Sequence, residues 1–217
     1  MKLFFKNGSH CRFFLALLLC GLCACSGKDI FEGSGDVGDC ALSGSYTYDE
    51  STDTYTLKGA GENVWGKADQ FFMVWKKVTG DFSLSSAIAF EGEGVQVHRK
   101  MGIMMRESLD GDAAYADVTV HGDGLTSLQY RPGKGADTKE VFSGKSLSTV
   151  KAVPDHITLE RRGDKMIMKT GIGEFSDETD GEMTVALPET CYVGLFICSH
   201  DAGVIETGYF SGVTLKK

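Results

Sequence analysis

The chain has 217 residues, 42% of them apolar and 24% charged, with 28 glycines and three prolines. That is length for one domain with a real core rather than for two, and too polar a composition for a protein of many membrane spans. The formal charge of −8, with no basic stripe, argues against a partner nucleic acid gripped through its phosphates.

The first segment reads as an address label. Lys2, Lys6 and Arg12 form a positive region ahead of an apolar run over 13–22. That run has the length of a signal-peptide core and is too short to span a bilayer. It ends in Leu22-Cys23-Ala24-Cys25, which resembles a bacterial lipobox, where the cysteine after a small residue is acylated and becomes the new N-terminus. Cys20 and Cys23 follow leucines, which are too large for that cleavage site. The alternative is an ordinary secretory peptide cut after Ala24. We therefore expect residues 1–24 to be a lipoprotein signal peptide and Cys25 the lipidation site, with the membrane reached through lipid and not through a span. Ser26 at the second mature position favours the outer membrane, on its periplasmic or its surface side. Lys28-Asp29-Ile30-Phe31-Glu32 resembles the charged surface-export signals of Bacteroidetes lipoproteins. The rest of 25–40 is polar and glycine-rich and reads as a flexible tether. Residues 41–217 then form the domain.

Three cysteines remain after the lipidation site: Cys40, Cys191 and Cys198. An odd number is not a complete disulfide framework. Cys191 and Cys198 fall in one predicted strand, with opposite parity and roughly 23 Å between them, so they do not bond to each other. Free thiols are expected, with a bridge from Cys40 to either of the others as the alternative. No histidine accompanies them at zinc spacing.

The body reads as strands throughout. Phe82, Leu84, Ile88 and Phe90 share one parity. Val118 and Val120 alternate with Asp117, Thr119 and His121, and Leu128 and Tyr130 with Ser127, Gln129 and Arg131. Ile157 and Leu159, then Met166 and Met168, repeat the pattern. Asp110-Gly111-Asp112, Gly122-Asp123-Gly124, Arg162-Gly163-Asp164 and Asp180-Gly181 separate these runs at hairpin distance. No segment keeps a 3.6-residue apolar period. The fold class is all-β, a sandwich or barrel. The segment 191–198 is apolar on both parities and should be a central strand.

Two hairpins fix a register. With Gly122-Asp123-Gly124 as a three-residue loop, Thr119 faces Ser127, Asp117 faces Gln129 and Tyr115 faces Arg131. With a four-residue loop over 109–112, Arg106 faces Tyr115, Met104 faces Asp117 and Gly102 faces Thr119. A slip of one residue would bury Asp117 and Gln129 and expose Val118 and Leu128, so this register is favoured. Three strands thus carry the rows Arg106–Tyr115–Arg131, Met104–Asp117–Gln129 and Gly102–Thr119–Ser127 on one non-core face. That face is either the solvated side of a sheet or a groove, in which a tyrosine between two guanidiniums, with amide and carboxylate groups, would bind a polyol.

The remaining candidates have plainer readings beside the functional ones. Trp65 is a sugar-stacking platform or a core plug. Trp75 alternates with Phe71 and Met73 and reads as core. His121 and His200 are exposed strand-end residues or line the groove. Arg106 and Glu107 end an otherwise apolar strand, so one of them must pair internally. Asp177 to Glu182 reads as a solvated loop, with calcium as the alternative. Asp110, Asp112 and Asp123 are turn residues with the same alternative. No metal site and no cofactor is assigned. There is no Gly-x-Ser-x-Gly elbow.

A family resemblance runs along the body. It rests on Gly61-Glu62-Asn63-Val64-Trp65-Gly66-Lys67-Ala68-Asp69-Gln70-Phe71-Phe72, then Gly80-Asp81-Phe82, then Lys100-Met101-Gly102-Ile103-Met104-Met105-Arg106-Glu107-Ser108. Gln129-Tyr130-Arg131, Ile157-Thr158-Leu159-Glu160-Arg161 and Tyr192-Val193-Gly194-Leu195 follow in the same order. Over about residues 44–215 the chain resembles the concanavalin A-like lectin/glucanase superfamily, and more narrowly the domains labelled "regulation of enolase protein". The resemblance implies a jelly-roll sandwich of two antiparallel sheets, often an accessory unit in secreted or envelope proteins. Laminarinase-type members carry paired carboxylates about 5 Å apart for retaining hydrolysis. That motif is absent here, so an enzyme is not favoured.

The expectation is an envelope-anchored lipoprotein with a non-catalytic module that binds a glycan or envelope polymer. Arg106, Tyr115, Asp117, Thr119, Gln129, Arg131, His121 and Trp65 are its candidate binding residues. One alternative is a structural or protein-interaction lipoprotein with a protein partner in a Tol-like or polysaccharide-utilisation assembly. The other is an atypical hydrolase or lyase.

Overall fold

The computed structural model describes residues 28–144 and 153–217. The signal segment and Cys25 lie outside the described residues. Sixteen strands, and among the described residues no helix, make two seven-stranded antiparallel sheets and one small hairpin. In chain order, the strands of the first sheet are β1 (Gly33–Val37), β6 (Phe71–Thr79), β8 (Lys100–Arg106), β9 (Tyr115–His121), β10 (Thr126–Arg131), β11 (Lys139–Phe142) and β15 (Thr190–Cys198). Those of the second are β2 (Ser45–Asp49), β3 (Thr54–Gly61), β7 (Phe82–Phe90), β12 (His156–Arg162), β13 (Lys165–Gly171), β14 (Gly181–Thr184) and β16 (Asp201–Lys216). The hairpin is β4 (Val64–Trp65) with β5 (Ala68–Asp69).

The spatial order of the first sheet is β1-β6-β15-β8-β9-β10-β11, and of the second β14-β13-β12-β7-β16-β3-β2. The expected all-β jelly-roll sandwich is what the chain forms. β15 is an interior strand, as its double apolar parity requires. Both hairpin registers read from the sequence are present: Asp117 pairs with Gln129 and Met104, Tyr115 with Arg131 and Arg106, and Thr119 with Ser127 and Gly102.

Alternation places the core. Met101, Ile103 and Met105 of β8 and Ala116, Val118 and Val120 of β9 point inward with Leu128, Val193 and Leu195. They meet Leu84, Ile157, Leu159, Met168, Leu57 and Phe210 of the opposite sheet. Apart from Ala116, each such side chain contributes about 1.5–3 kcal/mol by leaving water. The other face of the first sheet carries a second apolar cluster of Phe71, Met73, Met104, Tyr115, Phe196 and Cys198. Gly102 lies there beneath the Phe196 ring, where a Cβ would stand 2.9 Å from Cε1 of that ring.

Two expectations are corrected. Residues 28–40 are not a free tether: β1 pairs with β6, and Phe31 packs on the core. The glycines that suggested flexibility make room for a ring, since a Cβ on Gly33 would lie 2.9 Å from Trp75 Nε1. Trp75 is half-buried against the second cluster and does not belong to the inter-sheet core. Cys40, Cys191 and Cys198 are free thiols.

Candidate functional site

The outer face of the first sheet is roofed. The β4–β5 hairpin closes through a two-residue turn in which Gly66 takes φ of 61°, a conformation that glycine reaches without cost. The turn places Trp65 opposite Ala68 and carries Asp69 over the sheet. Asp69 Oδ1 accepts from Arg131 Nη2 at 2.6 Å, and Oδ2 from Arg131 Nη1 at 2.7 Å. Arg106 Nη1 stands 3.4 Å from the same Oδ2. Arg106 also donates to the carbonyls of Ser108 at 2.7 Å and Asp110 at 2.5 Å, and Arg131 to the Gly66 carbonyl at 3.1 Å. The Arg131 guanidinium lies 4.9 Å from the Tyr115 ring centre, and the Tyr115 hydroxyl is 3.2 Å from Thr138 Oγ1.

The rows placed on an open face are therefore covered. Arg106, Tyr115, Asp117, Thr119 and Arg131 have no exposed surface, and Gln129 has almost none. Arg106 does pair internally, as its place in an apolar strand required, and its partner is Asp69. At this end of the face the two guanidiniums and the tyrosine hold the roof. The physical reason is that two buried cations need a buried anion, and the hairpin brings one.

At the other end the roof stops and a cavity of about 280 Å³ opens. Asn63, Trp65, His98, Lys100, His121, Leu125, Gln129, Glu140 and His200 line it. Trp65 is 37% exposed, so it is a wall of the opening and not a core plug. Lys100 Nζ donates to Asn63 Oδ1 at 2.7 Å and to the Val64 carbonyl at 3.0 Å, beneath the Trp65 ring at 5.7 Å from its centre. His121 is buried, not an exposed strand end. His200 is half-buried, at φ of 59°. Glu140 extends the Asp117–Gln129 row to a fourth member by pairing with Gln129.

The floor carries unmet hydrogen-bonding capacity. Among the described residues, the buried side-chain polar atoms without a partner are Arg99 Nε, both carboxyl oxygens of Asp117, Thr119 Oγ1, His121 Nδ1 and Gln129 Oε1. All except the first lie on one patch. Asp117, Thr119 and His121 are same-face neighbours along β9, and Gln129 faces Asp117 from β10. An orphaned buried group costs about 1–3 kcal/mol, and native folds keep such groups where water or a ligand completes them.

The electrostatics agree. Burial pushes the Asp117 carboxyl well above its ordinary range, with the Lys100 ammonium pulling the other way. Burial lowers Lys100. It also pushes His121 down to about 3, helped by the Lys100 charge. The cavity thus presents a neutral imidazole from His121 and an amide from Gln129, with an indole face at the side, while Asp117 and Thr119 lie behind them, outside its lining. That set donates to and accepts from hydroxyl groups.

Other clefts lack this character. The one lined by Arg162, Lys165, Lys169, Asp177 and Glu182 holds charges already paired, Lys165 with Glu182 and Lys169 with Glu160, each at 2.9 Å. Asp180 is engaged by Ser143, Thr170 and the Gly144 amide. The hairpin roof and the cavity residues Asn63, His98, Lys100 and Glu140 were not found by pattern. Gly66, in the motif that begins at Gly61, was the one local signal of the turn.

No protein-family model matches the chain. No curated protein matches it by sequence. Among solved structures, it is similar to a functionally unknown protein from Saccharomyces cerevisiae, with a TM-score of 0.59 and 11% identity over 79% of this chain and 91% of that one. It is similar to the carbohydrate-binding module CBM66 from Bacillus subtilis, with a TM-score of 0.54 and 14% identity over 87% and 98%. It is also similar to the alginate lyase from Corynebacterium sp., with a TM-score of 0.50 and 10% identity over 84% and 92%. These likenesses show the fold, a jelly-roll sandwich of two antiparallel sheets.

Proposed function

We propose that the protein is an envelope-anchored glycan-binding module whose ligand enters the cavity beside Trp65. The single observation that carries the reading is the pair of unpartnered polar atoms on His121 and Gln129, both of which line that opening beside Trp65. A sugar ring stacked on Trp65 would bring its hydroxyls to this floor, replacing water bonds with fixed ones. Arg106, Tyr115 and Arg131 would act through the roof, not by touching the ligand. A carbohydrate-binding module among the structural neighbours is compatible with this reading. The lipid anchor at Cys25 and the outer-membrane address rest on the lipobox-like segment. The narrower likeness to "regulation of enolase" domains rests on the motifs from Gly61 to Phe72 and from Lys100 to Ser108.

The test is a glycan array of neutral and acidic polysaccharides probed with the purified chain, with Trp65→Ala and Gln129→Ala as site variants and Ser85→Ala, on the opposite sheet, as control. Binding lost in both site variants and kept in the control supports the reading. Binding equal in all four proteins contradicts it.

A hydrolytic reading has one observation in its favour. The row Asp117–Gln129–Glu140 puts two carboxyls on one face, two strand spacings or about 10 Å apart at Cα. Release of reducing ends from an array hit, lost in Glu140→Gln, would favour catalysis over binding alone.

A further inference from the structure

We infer that His98, His121 and Asp123 form a binding site for a divalent transition-metal ion of the zinc class at the rim of the cavity. The inference stands whether or not a glycan binds beside it. One ring nitrogen from each histidine and one Asp123 oxygen lie within 4.8 Å of one another. His98 Nδ1 and Asp123 Oδ2 are already 3.7 Å apart. Ligands at about 2.1 Å from a tetrahedral ion stand about 3.4 Å from each other, so the three groups would close on an ion through shifts of about an ångström.

The backbone holds this arrangement. The Gly122 amide donates to the Arg99 carbonyl at 2.9 Å, and the Asp123 amide to the Val97 carbonyl at 2.9 Å. These bonds staple the segment bearing His98 to the turn bearing His121 and Asp123. Gly122 permits the approach, since a Cβ there would stand 2.9 Å from Arg99 Cγ and 3.0 Å from the Val97 carbonyl oxygen.

The second observation is His121 itself. It is 6% exposed, and its Nδ1 has no partner. A His98–Asp123 contact alone leaves that atom stranded, and an ion bound by His121 through Nδ1 would satisfy it. The other nitrogen fits the same picture. His121 Nε2 lies 3.5 Å from Gln129 Nε2, and that amide nitrogen lies 3.3 Å from Ser127 Oγ. Turning the amide over places its oxygen between both groups. It then accepts from Nε2–H and from the serine hydroxyl, and frees the Nδ1 lone pair for a metal. The amide nitrogen then takes the former Oε1 position, where it presents a donor to the cavity.

Two imidazoles and a carboxylate suit zinc and its neighbours and not calcium or magnesium, which take oxygens. Lys100 faces the same cavity, but its ammonium is turned to Asn63 and Val64. The His200 ring lies 5.7 Å from that of His98, which leaves the fourth position for it or for a water on the cavity side.

The experiment is calorimetric titration of the untagged, chelator-stripped full-length protein with zinc chloride, with bound zinc counted after dialysis. The proposal expects micromolar or tighter binding in the wild type. His98→Ala and Asp123→Asn should each lose one zinc equivalent or weaken it at least tenfold, and excess calcium should not compete. The altered side chains are 50% and 38% exposed, and near-UV circular dichroism verifies that the variants fold. Zinc uptake that is absent, or that is the same in wild type and both variants, overturns the proposal.

Discussion

Asp69 grips Arg131 with both carboxylate oxygens, at 2.6 and 2.7 Å, and neither side chain reaches solvent. This contact joins the β4–β5 hairpin to the sheet below and so fixes where Trp65 stands. Arg106 shares the same carboxylate. One anion thus serves two buried cations.

Removing that anion should be costly. Asp69→Ala would leave both guanidiniums without a counter-charge, and breaking a buried pair in this way costs about 3–5 kcal/mol. Urea unfolding should show the loss as a lower midpoint with little change in slope. A loss under about 1 kcal/mol would mean the contact is no tighter than a surface pair.

Glu160 gives a pH prediction. Burial alone would raise its carboxyl, but bonds from Lys169, at 2.9 Å, and Arg162 outweigh this and hold it below the ordinary value of 4.5. A carboxyl lowered in the folded state stabilises above its unfolded value and loses that contribution as pH falls through its folded one. Glu160→Gln should therefore cost about 0.5–1 kcal/mol at pH 7. The difference from wild type should shrink steadily below about pH 4.5. A difference that stays constant from pH 7 to pH 3 would contradict the assignment.

The thiols should be sluggish in the folded chain. Burial pushes Cys198 up to about 12, and burial with the nearby Asp36 charge pushes Cys40 up to about 11. Cys191 is raised by burial as well. Since the thiolate is the reactive form, alkylation at pH 8 followed by peptide mass spectrometry should label all three far more slowly than in urea. Cys40, half-buried, should lead. Rapid native labelling of Cys191 or Cys198 would contradict the described burial.

Much of this fold was legible in the sequence, for reasons tied to particular residues. The pairing of Asp117 with Gln129 followed because it keeps Val118 and Leu128 on the core face, although the covering roof buries Asp117 and Gln129 as well. The need for an internal partner followed from a charge at Arg106 among apolar neighbours. The identity of that partner did not follow, because Asp69 is 37 residues away in sequence and reaches Arg106 through a turn that only the folded sheet positions. Alternation says that a face is polar, and it says nothing of what covers it. Composition misled at 28–40, where β1 is held by backbone pairing to β6 and its glycines answer to the Trp75 ring. His98, Lys100 and Glu140 were silent for the same reason: they converge from separate strands and a loop.

The central claim is that a glycan lies against Trp65 over the orphaned floor. The most direct measurement uses Trp75→Phe, which leaves Trp65 as the sole tryptophan. Titrating this protein with the best array glycan should shift Trp65 emission to the blue and saturate at the same concentration as binding measured by calorimetry. Adding Gln129→Ala should abolish both signals together. Saturable binding in calorimetry with no change in Trp65 emission would place the ligand elsewhere and contradict the account.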